Sequence, residues 1–305
     1  MKMQIIHNCI EFPDDALDSV IALGNFDGVH KGHGQILAEL KRLAEQANKT
    51  SAVMTFEPHP RRFFAPESNP FRLTSLEQKS NLIEKAGIDY LFVIDFDQQF
   101  ANISPEEFVE EILVNKLKAS HIITGYDFTF GKNRQGDTGS LQEYSGFDYT
   151  KIDEISDNGQ RYSSSNIRKY LQNAQIKQAN EMLGHGFKLK GRVLKGEALA
   201  AKLGFPTANI DMGEYIRPAY GVYAVKIKID GKIHKAVANI GVKPTFKDKK
   251  ELLEVHVFDF NHDIYGKEVE VELVDFIRQE NKFNSIEDLK AQITKDCAKA
   301  KEALR

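Results

Sequence analysis

Residues 1–184 alternate short apolar runs with amphipathic stretches. Val20–Leu23 and Ser51–Phe56 are almost uninterrupted apolar runs, which predicts strands buried on both faces. Between them Ile36, Leu37, Leu40, Leu43, Ala44 and Ala47 recur at helical spacing from about Gly34. Thr74 with Glu77 predicts a capped helix ending at Gly87, and Leu91–Ile94 a further strand. Ser104-Pro105-Glu106-Glu107 places a cap, an N1 proline and an acidic first turn together, and so predicts a helix start. Ile122–Thr124 is the next strand. Strands separated by helices argue a doubly wound parallel sheet covered on both faces, with ligands at the carboxyl ends of the strands.

Near Gly184 the pattern changes. Two short helical pieces, about Asn166–Ala174 and Ile176–Leu183, lead into five strand-like segments: Phe187–Leu194, Val222–Ile229, Lys232–Asn239, Leu253–Phe260 and Glu268–Phe276. Val225, Ile227 and Ile229 alternate with lysines, and Asp230-Gly231 is a hairpin turn. An antiparallel barrel or sandwich follows, closed by a helix over about Ser285–Leu304. The expected fold is an α/β domain over residues 1–184 and an antiparallel β-barrel domain with a terminal helix over 185–305.

Composition narrows the class. The chain has 305 residues, 41% of them hydrophobic, with a net charge of −3 and a pI near 6.3. Nothing in that balance marks a polyanion-binding surface, so nucleic acid is not an expected partner. No apolar run approaches the length of a membrane span, and no signal-peptide pattern follows Met1. The two cysteines, Cys9 and Cys297, have no metal-binding or disulfide spacing. The expectation is a cytoplasmic protein, a monomer or a weak homo-oligomer.

Four stretches of the first domain carry candidate chemistry. Gly24-Asn25-Phe26-Asp27-Gly28-Val29-His30-Lys31-Gly32-His33 leaves a strand and enters a helix. Helix N-terminal N–H groups attract anions, glycines admit a phosphate to the backbone, and imidazoles add donors. Thr55-Phe56-Glu57-Pro58-His59-Pro60, continuing into Arg61, also follows a strand; its plain reading is a proline-rich loop with a solvent histidine. Gly125-Tyr126-Asp127-Phe128-Thr129-Phe130-Gly131-Lys132-Asn133-Arg134-Gln135-Gly136 is a glycine-bounded loop whose phenylalanines suit the core and whose Asp127 and Arg134, beside a strand end, are harder to explain by packing. Ser163-Ser164-Ser165-Asn166-Ile167-Arg168 supplies helix caps, with Arg168 one turn in and suited to phosphate.

In the second domain Thr207 and Asn209, within Pro206-Thr207-Ala208-Asn209, offer two hard oxygens suited to Mg²⁺ carrying phosphates. Glu254 and His256 share a strand face, and periodicity alone favours a solvated face there.

Together the four first-domain stretches resemble the nucleotidylyltransferase superfamily. Their wording is similar to the FMN adenylyltransferase module of bacterial bifunctional FAD synthetases. The PTAN element, Asp263-Ile264-Tyr265-Gly266-Lys267, and Phe276-Ile277-Arg278 with Lys282-Phe283 resemble the riboflavin kinase module that accompanies it. The resemblance implies phosphorylation of riboflavin by ATP to FMN, then adenylylation of FMN to FAD with release of pyrophosphate. It implies His30 and His33 on the ATP phosphates, with Gly24, Phe26, Asp27 and Gly32 shaping that site. Ser164, Ser165 and Arg168 would hold the leaving pyrophosphate, Asp127 would sit beside nucleotide and metal, and His59 and Arg61 near the flavin. In the kinase module Gly196, Lys202, Thr207 and Asn209 would hold the nucleotide, Thr207 and Asn209 also its Mg²⁺. Glu254 would be the base, and Tyr265, Arg278 and Phe283 would line the flavin.

One departure stands out. Ala200-Ala201 occupies positions where the family usually has a glycine and an arginine, and Lys195 or Lys202 is the substitute cation at hand. A chain with a full adenylyltransferase and a weakened kinase is therefore an alternative. A flavin-binding regulatory protein is another, against which the joint presence of His30, His33, Arg168, Thr207, Asn209 and Glu254 argues.

Overall fold

The computed structural model describes residues 2–8, 12–157, 159–195, 204–244 and 249–305. The chain divides into two compact units. One comprises Met1–Asn69 and Leu76–Tyr162; the other comprises Pro70–Ser75 and Ser163–Arg305.

The first unit is built on a six-stranded parallel sheet. Its strands are β1 (Gln4–His7), β2 (Val20–Leu23), β3 (Ser51–Glu57), β4 (Tyr90–Asp95), β5 (His121–Gly125) and β8 (Asp148–Ile152), in the spatial order β1-β4-β3-β2-β5-β8. Small hairpins β6 (Thr129–Phe130) with β7 (Gly136–Asp137), and β9 (Ser156–Asp157) with β10 (Gln160–Arg161), lie outside it. The helices are α1 (Lys31–Ala47), α2 (Pro60–Phe64), α3 (Leu76–Lys85), α4 (Pro105–Glu107) and α5 (Thr138–Gln142). Ser104 and Glu107 form the expected capping box on α4, which runs on as a π-helix over Phe108–Lys116.

Alternation along the strands divides the core into two layers. Ile21, Leu23, Met54 and Phe92 pack with Phe108, Val109 and Leu113. Their neighbours Val20, Ala22, Val53 and Leu91 pack with Ile36, Leu37 and Leu40 of α1 and Ile83 of α3. Burying each such side chain contributes about 2 kcal/mol, far more than helix propensity, so packing on the sheet decides which face of α1 is turned inward. From β2 the chain moves outward through β3 and β4, then returns to place β5 on the other side. The order reverses at β2, and its carboxyl end is the expected ligand crevice.

The second unit is a closed antiparallel barrel. Its strands are β11 (Phe187–Leu194), β12 (Ala208–Ile210), β13 (Gly221–Ile229), β14 (Lys232–Pro244), β15 (Lys249–Val257) and β16 (Glu268–Arg278). They run β11-β12-β15-β14-β13-β16 around the barrel, with β16 pairing back to β11. Tyr223, Val225, Ile227 and Ile229 are buried while Lys226 and Lys228 are exposed, as the alternation predicts. The β13–β14 turn places Asp230 and Gly231 at φ +48° and +81°, the left-handed pair that a two-residue hairpin needs. Helix α8 (Ile286–Ala303) packs Ala300 and Cys297, with Leu304 just past its end, against Val222, Ala224 and Val237. Helices α6 (Ser164–Gln172) and α7 (Ile176–Leu183) also belong to this unit, as does Arg72, which bridges to Tyr215.

Candidate functional sites

At the end of β2 the backbone turns sharply: Phe26, Gly28 and Val29 take φ of +48°, +87° and +38°. For β-branched Val29 that is a strained conformation, worth about 1–3 kcal/mol, and such strain is typical of a functional loop. Helix α1 begins at Lys31, three residues before the apolar pattern suggests, because His30 itself is the cap. The backbone N–H of His33 donates to Nδ1 of His30 at 3.3 Å. With Nδ1 an acceptor, neutral His30 carries its proton on Nε2.

The His30 and His33 rings stack with centroids 3.7 Å apart, and Phe26 packs on His33 at 5.0 Å. A Cβ on Gly32 would meet the His30 imidazole at 3.1 Å, and one on Gly24 would meet the Phe26 ring at 3.1 Å. Both glycines keep the rings in place. Asp27 and His30 are buried. Nδ1 of His33 is buried with no hydrogen-bond partner among the described residues. Burial, then His30, then Lys79 push the His33 pKa well below its ordinary value. The site therefore presents a neutral imidazole beside a helix N-terminus.

Two further strand ends flank it. After β3, His59 caps α2 by accepting from the Arg61 N–H at 3.1 Å, and the Arg61 side chain is exposed. After β5, Asp127 pairs with Arg161 at 2.9 Å, and the Arg161 guanidinium lies 4.6 Å from the centre of the Tyr126 ring. In the second unit Ser163 is the cap of α6, accepting from the Asn166 N–H at 3.2 Å. Ser164 and Ser165 are thus its first two residues. Arg168 follows one turn later, its Nε donating to the Phe71 carbonyl at 2.8 Å.

The barrel gathers another set. Asn209 on β12 pairs with Glu254 on β15, which pairs with Asn239 on β14, so three polar side chains form a row on one face. Asn209 is buried, and its Oδ1 has no hydrogen-bond partner among the described residues. Nδ1 of His256 lies 2.9 Å from the Pro206 carbonyl and its ring contacts Phe205, which anchors the chain entering Thr207. Glu254 is half-buried.

The remaining barrel residues have separate settings. Arg278 spends its guanidinium on Asp296 of α8, with Nε at 3.0 and 3.1 Å and a terminal nitrogen at 2.7 Å, and on the Gln279 carbonyl. Phe283 lies under that guanidinium at 5.8 Å. Tyr265 is 47% exposed in the turn whose next residue, Gly266, donates to the Val193 carbonyl. Gly196, Ala200, Ala201 and Lys202 lie outside the described residues. Arg161 and Lys79 were not anticipated, nor was the contact of His256 with the Pro206 carbonyl. For Lys79 a signal exists, because with Ser80 it fills the core-facing stripe between Leu76 and Ile83.

Residues 13–166 match the FAD synthetase family model and residues 183–304 the riboflavin kinase model. The chain belongs to the bifunctional riboflavin kinase/FMN adenylyltransferase family. It is 40% identical to that protein of Bacillus subtilis, covering 96% of this chain and 93% of the relative. It is 39% identical to the Escherichia coli K12 protein, covering 97% and 96%, and 42% identical to that of Haemophilus influenzae, covering 92% of each. A crystal structure of a macrolide-efflux protein from Streptococcus pneumoniae shares the fold over 99% of each chain, with 30% identity and a TM-score of 0.87. Among the described residues no helix is long and apolar enough to cross a membrane.

Proposed function

We propose that this chain makes FAD from riboflavin in two ATP-dependent steps, phosphorylation within residues 185–305 and adenylylation within 1–184. The observation that carries the reading is the pair of prepared sites. One is a strained loop with stacked histidines at the sheet's switch point; the other is the Asn209–Glu254 pair across two barrel strands. The two family models, matched in that order, support it.

In adenylyl transfer a phosphate oxygen of FMN attacks the α-phosphorus of ATP, and pyrophosphate leaves. Catalysis there is positioning and charge stabilisation. The Nε2–H of His30, the imidazole of His33 and the α1 N–H groups are the donors for the phosphates. Ser164, Ser165 and Arg168 are assigned to the pyrophosphate, Asp127 to the nucleotide, and His59 and Arg61 to the flavin. In the kinase step the riboflavin 5′-hydroxyl oxygen attacks the γ-phosphorus of ATP, Glu254 accepts the hydroxyl proton, and ADP leaves with the bridging oxygen.

The buried, unpartnered Asn209 oxygen fits an oxygen-seeking cation, so Thr207 and Asn209 are assigned to Mg²⁺. When bound, Mg²⁺ would neutralise phosphate charge. Among the described residues no cluster of three His, Cys, Asp or Glu side chains offers a different metal cage. Tyr265 and Phe283 are assigned to the flavin ring; Arg278 serves that assignment by fixing α8 and Phe283. We place the protein in the cytoplasm, where a free thiol such as Cys297 stays reduced, as a monomer or weak homo-oligomer.

Incubation with riboflavin and MgATP, resolving FMN from FAD over time, tests the reading. Sequential appearance of FMN and then FAD is the expected result. Turnover of FMN with none of riboflavin would remove the kinase, and flavin binding without turnover would remove both steps.

A further inference from the structure

A buried charge lies close to the anion loop. Lys79 of α3 is only 2% exposed. Its ammonium donates to Thr55 Oγ1 at 3.0 Å and lies 3.6 Å from the Glu57 carboxylate, both on β3. A helix face that needed only packing would carry Leu or Met here, because burying an ammonium is unfavourable unless its partners repay it.

The direction of the hydrogen bonds is decided by chemistry. An ammonium has hydrogens and no lone pair, so Thr55 accepts from it and turns its own hydrogen elsewhere. That hydrogen goes to the Asn25 carbonyl at 3.1 Å. Asn25 leads directly into Phe26, Gly28 and Val29, the three residues at positive φ, and so into the His30 cap.

We propose that Lys79 is a positioning residue for adenylyl transfer: through Thr55 it holds the Asn25 carbonyl, and with it the strained loop that presents His30, His33 and the α1 N–H groups to the nucleotide phosphates. The proposal rests on the assignment of Gly24–His33 to ATP. Its charge has a second effect, since with burial and His30 it disfavours protonation of His33. Positive charge in the site is then fixed on a side chain that cannot swing, while His33 keeps a lone pair.

Lys79→Met, Lys79→Arg and Thr55→Val in the full chain test this. Four quantities are measured: kcat and KM for ATP in FMN adenylylation, the rate of riboflavin phosphorylation, and the titration midpoint of His33 by NMR without ligand. Lys79→Met is expected to raise KM for ATP about tenfold with a smaller change in kcat, and to move the His33 midpoint upward. Lys79→Arg should recover most of both. Thr55→Val should raise KM and leave the His33 midpoint low, because the charge stays. Riboflavin phosphorylation should be unchanged in all three.

Unaltered adenylylation kinetics in Lys79→Met would overturn the proposal, as would a defect that Arg does not relieve. Should Lys79→Met lose riboflavin phosphorylation as well, the fold is damaged and Thr55→Val decides: a normal KM overturns the proposal and a raised one supports it. His33→Ala separates the layers. If it impairs FAD formation while the Lys79 and Thr55 variants do not, only the positioning role fails; if it leaves FAD formation intact, the phosphate-site assignment fails and takes the proposal with it.

Discussion

The imidazoles of His30 and His33 lie face to face, 3.7 Å between centroids and 17° between planes. Two rings at that separation do not both charge readily, since each proton repels the other. Kept neutral, the pair offers N–H donors to the nucleotide phosphates. His33→Ala is therefore expected to lower FAD formation from FMN by about 10²-fold, the usual loss for one stabilising donor, with riboflavin phosphorylation preserved. Separate assays of the two products check it.

His33 also makes the first unit sensitive to acid. Its folded pKa is well below 6.5, so the unfolded chain binds that proton more readily than the folded one. The proton linkage costs nothing above about pH 6.5, and stability is lost as the pH falls from there toward the depressed value. Denaturant unfolding of the first unit at pH 7.5 and pH 5.5 should show this loss. His33→Gln should shrink it, and an equal loss in that variant would assign the acid sensitivity elsewhere.

Glu254→Gln keeps the size of the side chain and removes its basicity. Riboflavin phosphorylation should fall by about 10²- to 10⁴-fold, the range for a lost general base, while FMN adenylylation stays normal. A variant that phosphorylates riboflavin at the parent rate would take the role from Glu254.

Asn209→Leu removes the orphaned oxygen while filling the buried space. The expected result is a rise in the Mg²⁺ concentration needed for half-maximal riboflavin phosphorylation, with thermal stability held or raised. Adenylylation measured against Mg²⁺ should not change.

Arg278 and Asp296 form a nearly buried, bidentate pair between β16 and α8, further held by Gln292 at 2.9 Å. Arg278→Met leaves the Asp296 charge buried with its main partner gone, a change worth about 3–5 kcal/mol. The barrel should melt earlier in calorimetry. Arg278→Met combined with Asp296→Leu should recover much of the loss, because packing replaces the charge.

The architecture was legible in the sequence wherever burial is two-sided or strictly alternating. Val20–Leu23, Ser51–Phe56 and Val222–Ile229 all fall on strands. Edge strands escaped, because Gln4–His7 and Asp148–Ile152 are short and half-polar. So did β12, whose three residues form a strand only because β15 and β11 lie either side. The β15 segment runs from Lys249 and not from Leu253, since its polar start is held by pairing with Val242 and Lys243. In the sites, spacing marked the histidines but not the hydrogen bonds behind them. Lys79 acts through a strand 24 residues away, and His256 through a carbonyl 50 residues away.

The three-strand row of Asn209, Glu254 and Asn239 ties folding and chemistry together. Along β15, Leu253 and Val255 are fully buried on either side of Glu254. A one-residue deletion in this strand would exchange those faces, setting a carboxylate into the barrel and two aliphatic side chains outside it. Closure leaves no free edge onto which the strand might slip to recover. Insertions and deletions in β12, β14 and β15 should therefore be selected against as folding failures before they are ever tested as enzymes, whereas point changes that preserve register remain open to evolution.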